Sequence, residues 1–366
     1  MRRALEKTKP KSPGQGDSAA SPLFVTLARG GDFALSCPGR WFHKASLPKG
    51  LVALLVVVLW SAAPALAKPK RETPVQPAPQ STPAKPKIIP GADPGGGAVA
   101  LIGAGENYTL PAIANRLARD GEGDIIGLDF VDRDNRPFDP GPELAPSPFG
   151  VSPMGTTLAS VLLREAPRGR LVPVRLRLGD PRHFGGAAAF VAATPARIAL
   201  VAFTTPNRVD WEPFLQAASA APNVLFVLPA GDDDLELDEK PRFPASLGLA
   251  NAIVVTATQA EGRMLPMANR GARSIDVAVP AERLQALAQN GAAVAVSGSV
   301  YAAARIAGLA ARLLEANARL SVGELKGRIL AAAVPMPHDP RTGVAAPRTR
   351  HGWIANPEAV PLATKP

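Results

Sequence analysis

The sequence predicts an α/β domain in which a mostly parallel central sheet is covered by helices on both faces. Three observations carry that prediction. Runs of buried-strand type alternate with amphipathic helical stretches from Ala98 to about Val360, and such alternation argues for a parallel sheet flanked by helices. That span suits one sizeable domain. No internal repeat divides it.

The first strand is Ala98-Val99-Ala100-Leu101-Ile102, followed by a helical stretch from Leu110 to Arg119. Ile125 to Val131 reads as strand and Thr156 to Glu165 as helix. Leu171 to Leu176, Ile198 to Phe203 and Val224 to Leu228 are further strands, with a helix from Asp210 to Ala220 between the last two. Ala252 to Ala257 and Ile275 to Val279 continue the strand series, and helices over Tyr301 to Ala318 and Val322 to Ala333 close it.

Ahead of this domain, Leu51 to Ala67 is a nearly unbroken apolar run preceded by Lys44 and Lys49 and ending in Ala65-Leu66-Ala67. A basic flank, an apolar centre and a small-x-small ending predict a secretory signal cleaved after Ala67, hence an exported protein, periplasmic or secreted. The alternative is a membrane anchor with the domain outside the cytoplasm, although the run sits at the short limit for crossing a bilayer and contains Pro64. Met1 to Gly50 is long for the basic region of a signal, which points to a start downstream of Met1.

Dividing the net charge of +10 along the chain changes its meaning. Residues 1–67 carry nine Lys or Arg against three Asp or Glu, and residues 68–95 carry five against two, which leaves the remainder close to neutral. The basic character lies in a leader and linker, so no phosphate-binding face and no nucleic-acid partner is expected. The sole cysteine, Cys37, falls before the cleavage site, so the exported form has no thiol for a disulfide, a nucleophile or a metal site. Residues 68–97 hold eight prolines among Lys, Gln, Ser and Thr and read as an extended tether. The predicted organisation is therefore leader and signal over 1–67, Pro-rich linker over 68–97, domain over 98–360 and a short tail over 361–366.

The most informative motif is Ser297-Gly298-Ser299-Val300-Tyr301-Ala302, followed by Ala307-Gly308-Leu309. It resembles the nucleophile turn and following helix of the subtilisin-like serine proteases, the subtilases, with Val300 where that family keeps its serine. The resemblance runs in order through the domain. Val99 to Gly105 has the shape of the strand that ends in the catalytic aspartate, with Gly103 at that position. Ile126 to Asp134 is similar to the next strand and acidic turn. Pro153-Met154-Gly155-Thr156-Thr157-Leu158-Ala159-Ser160 overlays Gly-His-Gly-Thr-His-Val-Ala-Ser and puts Met154 at the catalytic histidine. Ala230-Gly231-Asp232 stands where the family has Ala-Gly-Asn, whose asparagine supplies the oxyanion donor. Phe243-Pro244-Ala245-Ser246, Asn251 to Thr258, Asn269-Arg270-Gly271 and Leu320 to Lys326 match further conserved-looking runs of the family in order.

The resemblance implies a three-layer subtilisin-like fold and, by family alone, a serine-type endopeptidase. The departures imply the opposite activity. Gly103 has no side chain to orient an imidazole, Met154 has no group that accepts a proton, and Val300 has no nucleophilic atom. At the oxyanion position a carboxylate on Asp232 opposes developing negative charge. Met154, Val300 and Tyr301 are suited to filling a cleft, and methionine adapts to irregular gaps.

Other chemistry finds less support. Ser299 with His183 would need contact across the fold, and His183 reads as a solvated loop residue. Asp232, Asp233 and Asp234 invite calcium, as do Asp129, Asp132, Asp134 and Asp139, because hard cations take several carboxylates. The first group lacks the glycine-centred turn and fixed spacing of a dedicated calcium loop, the second is a weak candidate, and no other cofactor is expected. Gly103-Ala104-Gly105 lacks the third glycine of a dinucleotide site. The expectation is an exported, catalytically inactive subtilase-like domain that binds or scaffolds a protein or peptide, touching a membrane only through an uncleaved amino-terminal segment. The alternative is a serine endopeptidase with other catalytic residues.

Overall fold

The computed structural model describes residues 85–139, 154–337 and 348–362, together with the backbone of two short strands, Val25–Leu27 and Phe33–Leu35, which pair antiparallel. The apolar run 51–67, Cys37, residues 68–84 and His338 lie outside the described side chains. The chain divides into two units, Met1–Ser81 and Thr82–Pro366. The second contains the domain.

Seven strands form its central sheet: β1 (Ala98–Gly103), β2 (Leu128–Asp129), β3 (Arg170–Arg175), β4 (Ile198–Val201), β5 (Leu225–Pro229), β6 (Ala252–Thr258) and β7 (Val277–Pro280). Their order is β2-β3-β1-β4-β5-β6-β7 and every pairing is parallel. Parallel strands need crossover connections, which here carry α1 (Pro111–Ala114), α2 (Gly155–Glu165), α3 (Phe184–Ala192) and α4 (Glu212–Ser219); α5 (Ser299–Ala316) and α6 (Val322–Ala331) follow the last strand of the sheet.

The period of two along β1 divides the core. Val99 and Leu101 join the cluster built with α2, α5 and α6, whereas Ala100 and Ile102 join the cluster built with α3 and α4. Both sets are buried, so the predicted layer of sheet between two layers of helix is present. Burying a leucine or valine contributes about 1.5–3 kcal/mol each, and the central helix α5, buried from Ser299 through Ala311, carries much of one core.

Several elements differ from expectation for identifiable reasons. The helix predicted over 110–119 stops early, because the backbone at Arg116 and Ala118 pairs with Leu171 at the start of β3. Only Leu128–Asp129 of the run 125–131 is strand. Helix α3 has no counterpart among the sequence predictions: Gly185-Gly186 reads as a breaker and its apolar face is not confined to one stripe. An antiparallel hairpin, β8 (Leu284–Leu287) with β9 (Ala293–Val296), also went unforeseen. Residues 85–97, within the stretch read as tether, are bonded to the domain. Tyr108 donates to the Pro86 carbonyl at 3.0 Å, Gly91 N–H donates to Gly123 at 3.1 Å, and Asp93 accepts from Arg119 N–H at 2.8 Å.

Candidate functional site

In an open parallel sheet, ligands bind beyond the carboxyl ends of the strands, at the point where the strand order reverses. That point lies beside β1, whose chain neighbours run to one side through β3 and β2 while β4 and later strands run to the other. Gly103 ends β1 at this place. A Cβ there would stand 3.0 Å from the Ala202 Cβ, so the two strand ends approach closely because residue 103 has no side chain.

Helix α2 begins against the same turn. A Cβ on Gly155 would stand 1.9 Å from the Gly105 carbonyl oxygen, so glycine is required where the helix start meets the β1 turn. Met154 occupies the N-cap of α2, makes no side-chain cap bond and packs half-buried on the core. The Met154 carbonyl accepts from Leu158 N–H at 2.9 Å and from the Thr157 hydroxyl at 2.8 Å. The Thr157 hydroxyl also lies 3.0 Å from that of Tyr301, which joins the first turns of α2 and α5.

Val300 lies in the first turn of α5, 8% exposed, beside the buried Tyr301. Ser299 is fully buried. Its hydroxyl accepts from Gly231 N–H at 3.0 Å and donates to Asp232 Oδ2 at 2.9 Å. The Asp232 carboxylate also accepts from Ser299 N–H, at 3.0 Å through Oδ1 and 2.9 Å through Oδ2. An anion at this end of an 18-residue helix is favoured by the unsatisfied N–H groups and the helix dipole. Asp232 has a solvent-facing side, yet the protein crowded around its carboxyl raises the pKa above the usual carboxylate value by more than the Ser299 bonds lower it, and Asp233 adds to the rise.

A residue absent from the sequence-based site organises this loop. Asn269 is fully buried. Its Nδ2 donates to the Ala230 carbonyl at 2.8 Å, and its Oδ1 accepts from Asp233 and Leu235 N–H at 3.1 and 2.8 Å. In the sequence, Asn269-Arg270-Gly271 stands only as one of the family-like runs; the available signal is an uncharged amide amid basic and small residues. Thr204 forms part of the neighbouring wall, its Oγ1 being 3.2 Å from where a Gly231 Cβ would lie.

The structure thus brings Met154, Thr157, Val300, Tyr301, Ser299 and Asp232 to the starts of two neighbouring helices, with Gly103 at the strand end facing α2. It does not bring His183 to them. His183 stacks on Phe130 with ring centroids 5.1 Å apart, in the short turn Pro181–His183 ahead of α3. It is half-buried there, where a solvated loop residue was expected.

The acidic residues after Asp232 diverge. Asp233 pairs with Arg242 at 3.1 Å, Asp234 with Arg270 at 2.5 Å, and Asp238 accepts from Ser274. Asp129, Asp132 and Asp134 surround the Lys85 ammonium instead. Among the described residues no three Asp, Glu, His or Cys side chains converge, as they stand, on a point that would hold a metal ion. Nor is any helix among them long and apolar enough to cross a membrane.

The geometry defines a class, an α/β domain of subtilisin-like fold. The subtilase family model matches residues 179–353, a span that includes Asp232 and Val300 and begins beyond Gly103 and Met154. A cold-adapted subtilisin-like serine proteinase superposes with a TM-score of 0.57 at 20% identity, over 74% of this chain and 93% of that one. A lanthipeptide protease gives 0.56 at 18% identity, over 67% and 83%. The A-subunit of the AB5 toxin from E. coli gives 0.57 at 16% identity, over 73% and 93%. No curated protein matches the chain. The resemblance to the subtilases and the three-layer fold it implies are therefore borne out.

Proposed function

We propose that this chain is an exported subtilase-fold domain without protease activity, which binds or scaffolds a protein or peptide partner outside the cytoplasm. The observation that carries the reading is the first turn of α5. Val300 presents only methyl groups at the helix start, and residue 232 places a carboxylate, which only accepts, where an acyl-transfer enzyme of this fold needs a side-chain donor for an oxyanion. Loss of one such donor in serine proteases costs about 3–4 kcal/mol in transition-state stabilisation, and a carboxylate adds repulsion. Gly103 and Met154 supply neither an orienting carboxylate nor a base. Export rests on the run 51–67 and its Ala-Leu-Ala ending.

The second reading, a serine endopeptidase using other residues, has Ser299 as its candidate nucleophile. The Ser299 hydroxyl is engaged by Gly231 and Asp232, and neither described histidine bonds to it. The two readings separate on one experiment. The full-length protein treated with a fluorophosphonate probe stays unlabelled, and casein turnover stays at the buffer rate. Labelling that disappears in Ser299→Ala would establish the peptidase instead.

A partner meets two features at the cleft. Strand addition uses backbone groups at a sheet edge and survives the loss of catalytic side chains, but Thr204 narrows the wall opposite Gly231. Peptide binding in the groove is accordingly weak, about micromolar or poorer, and the surface loops are the main contact region. Nanomolar binding from an unbiased peptide library, abolished by a bulky substitution at Ala202, would show a working groove.

A further inference from the structure

A cleft of about 560 Å³ opens between α1, α2 and the β8–β9 hairpin, and it shares no residue with the cluster at the starts of α2 and α5. Its size is that of a small-molecule site, which typically spans ~300–1,000 Å³. Ser160, Leu163 and Arg164 follow one another at helical spacing, so a single face of α2 forms one wall. The space stays open because Ala112, Ala286 and Ala293 stand where longer side chains would close it. Leu163 and Ala286, each 6% exposed, give it an apolar floor. Its charged lining is all of one sign: Arg116 and Arg164 face the cleft, and no Asp or Glu does. Arg116 Nε donates to the Gly169 carbonyl at 2.9 Å and Nη2 to the Ala166 carbonyl at 2.8 Å, while Arg164 Nη1 donates to the Gln285 carbonyl at 2.6 Å. Glu315 acts on Arg116 through space without a hydrogen bond.

We infer that this cleft binds a small amphipathic anion, a molecule whose carboxylate or sulfonate head sits between Arg116 and Arg164 and whose apolar body rests on Leu163, Ala286 and Leu287. Three relationships carry the inference. First, the donors are in surplus. A guanidinium has five N–H groups; among the described residues Arg116 gives three bonds to carbonyls and Arg164 gives one, so both keep N–H groups for an anion. Second, the carbonyls of Ala166 and Gly169 hold the Arg116 fork in place before a ligand arrives, which reduces the side-chain freedom lost on binding. Third, the edge of β8 that faces α2 is already capped, because Leu287 N–H donates to Ser160 Oγ at 2.9 Å and the Gln285 carbonyl accepts from Arg164. An extended peptide adding to that edge would displace both bonds, whereas a compact ligand on the apolar floor displaces neither. The inference is independent of the protein or peptide partner proposed above, since the two regions share no residue.

The probe is anilinonaphthalene sulfonate, an aromatic body with one anionic head, and its control is N-phenylnaphthylamine, the same body without the sulfonate. Fluorescence titrations compare the full-length wild type with Arg164→Gln, Arg164→Lys and Ala112→Trp; both positions are exposed, and circular dichroism checks that each variant is folded. The wild type is expected to bind the sulfonate with a Kd of about 10–100 µM. Arg164→Gln weakens that binding about fivefold, and Arg164→Lys weakens it less, because the ammonium keeps the charge. Arg164→Gln also removes the bond to Gln285, so Ala112→Trp, which leaves that bond in place and fills the cleft, tests the site a second way by abolishing the binding. The neutral control binds wild type and Arg164→Gln equally. Sulfonate binding that is absent from the wild type, or unchanged in both Arg164→Gln and Ala112→Trp, overturns the inference; in the second case the dye sits elsewhere, the apolar run 51–67 included. An equal loss of the neutral control in Arg164→Gln overturns it as well, since the cleft would then have no preference for an anion.

Discussion

The hydroxyls of Thr157 and Tyr301 lie 3.0 Å apart and tie the first turn of α2 to the first turn of α5. The bond is a structural contact between the two helix starts. Tyr301 is 5% exposed, so its phenol would be left without this partner in a largely dry site.

Removing that bond should be measurable. Tyr301→Phe and Thr157→Val are each expected to cost about 0.5–1.5 kcal/mol in denaturant unfolding. The two effects should not add, and a double-mutant cycle should return a coupling of about 1 kcal/mol. Additive losses would show that the two hydroxyls do not depend on each other.

Asp232→Asn should change pH dependence without creating a protease. The folded-state pKa of Asp232 is raised, with crowding by protein as the largest cause. Its contribution is thus fully present below the unfolded value near 3.8 and is lost as pH rises through the folded value. Asparagine removes that loss, so the variant gains stability relative to wild type as pH rises from 4 toward neutrality. Asp232→Asn with Val300→Ser should remain unlabelled by fluorophosphonate, because no base stands at Met154. Labelling of that double variant would mean that a base exists elsewhere in the cleft.

Glu106 is a sharper pH test. It is 1% exposed, and neither carboxyl oxygen has a hydrogen-bond partner among the described residues. Burial first, and then the charge of Asp139, hold its pKa well above 4.5. A raised pKa means that the proton is bound more tightly in the folded state, so stability is complete below about pH 4.5 and falls as pH rises through the folded value. While that titration proceeds the slope approaches about 1.4 kcal/mol per pH unit. Glu106→Gln should match wild type near pH 4 and exceed it at pH 8, measured by urea unfolding across that range. Superimposable profiles would show that Glu106 does not titrate with folding.

Local pattern made much of this protein readable. Apolar runs of strand length placed β1, β3, β4, β5, β6 and β7 within a residue or two of their ends, because burial on both faces selects apolar side chains at consecutive positions. The identities at Gly103, Met154 and Val300 were legible one by one, since a side chain without a nucleophilic atom or a basic nitrogen cannot acquire one by folding. What folding decided was which groups meet. Asp232 and Ser299 are 67 residues apart in the chain, and Lys85 and Asp129 are 44 apart. Neither contact leaves a periodicity, because a polar bond across the fold depends on where two loops are carried by the sheet rather than on neighbouring sequence. For the same reason a run of prolines read as a tether proved to include a segment fastened to the domain. The sequence by itself thus determined the layers and which side chains stand at Gly103, Met154 and Val300; the tertiary structure decided that a carboxylate caps α5 and that a lysine pairs with three aspartates of one turn, because both depend on groups brought together over long chain separations.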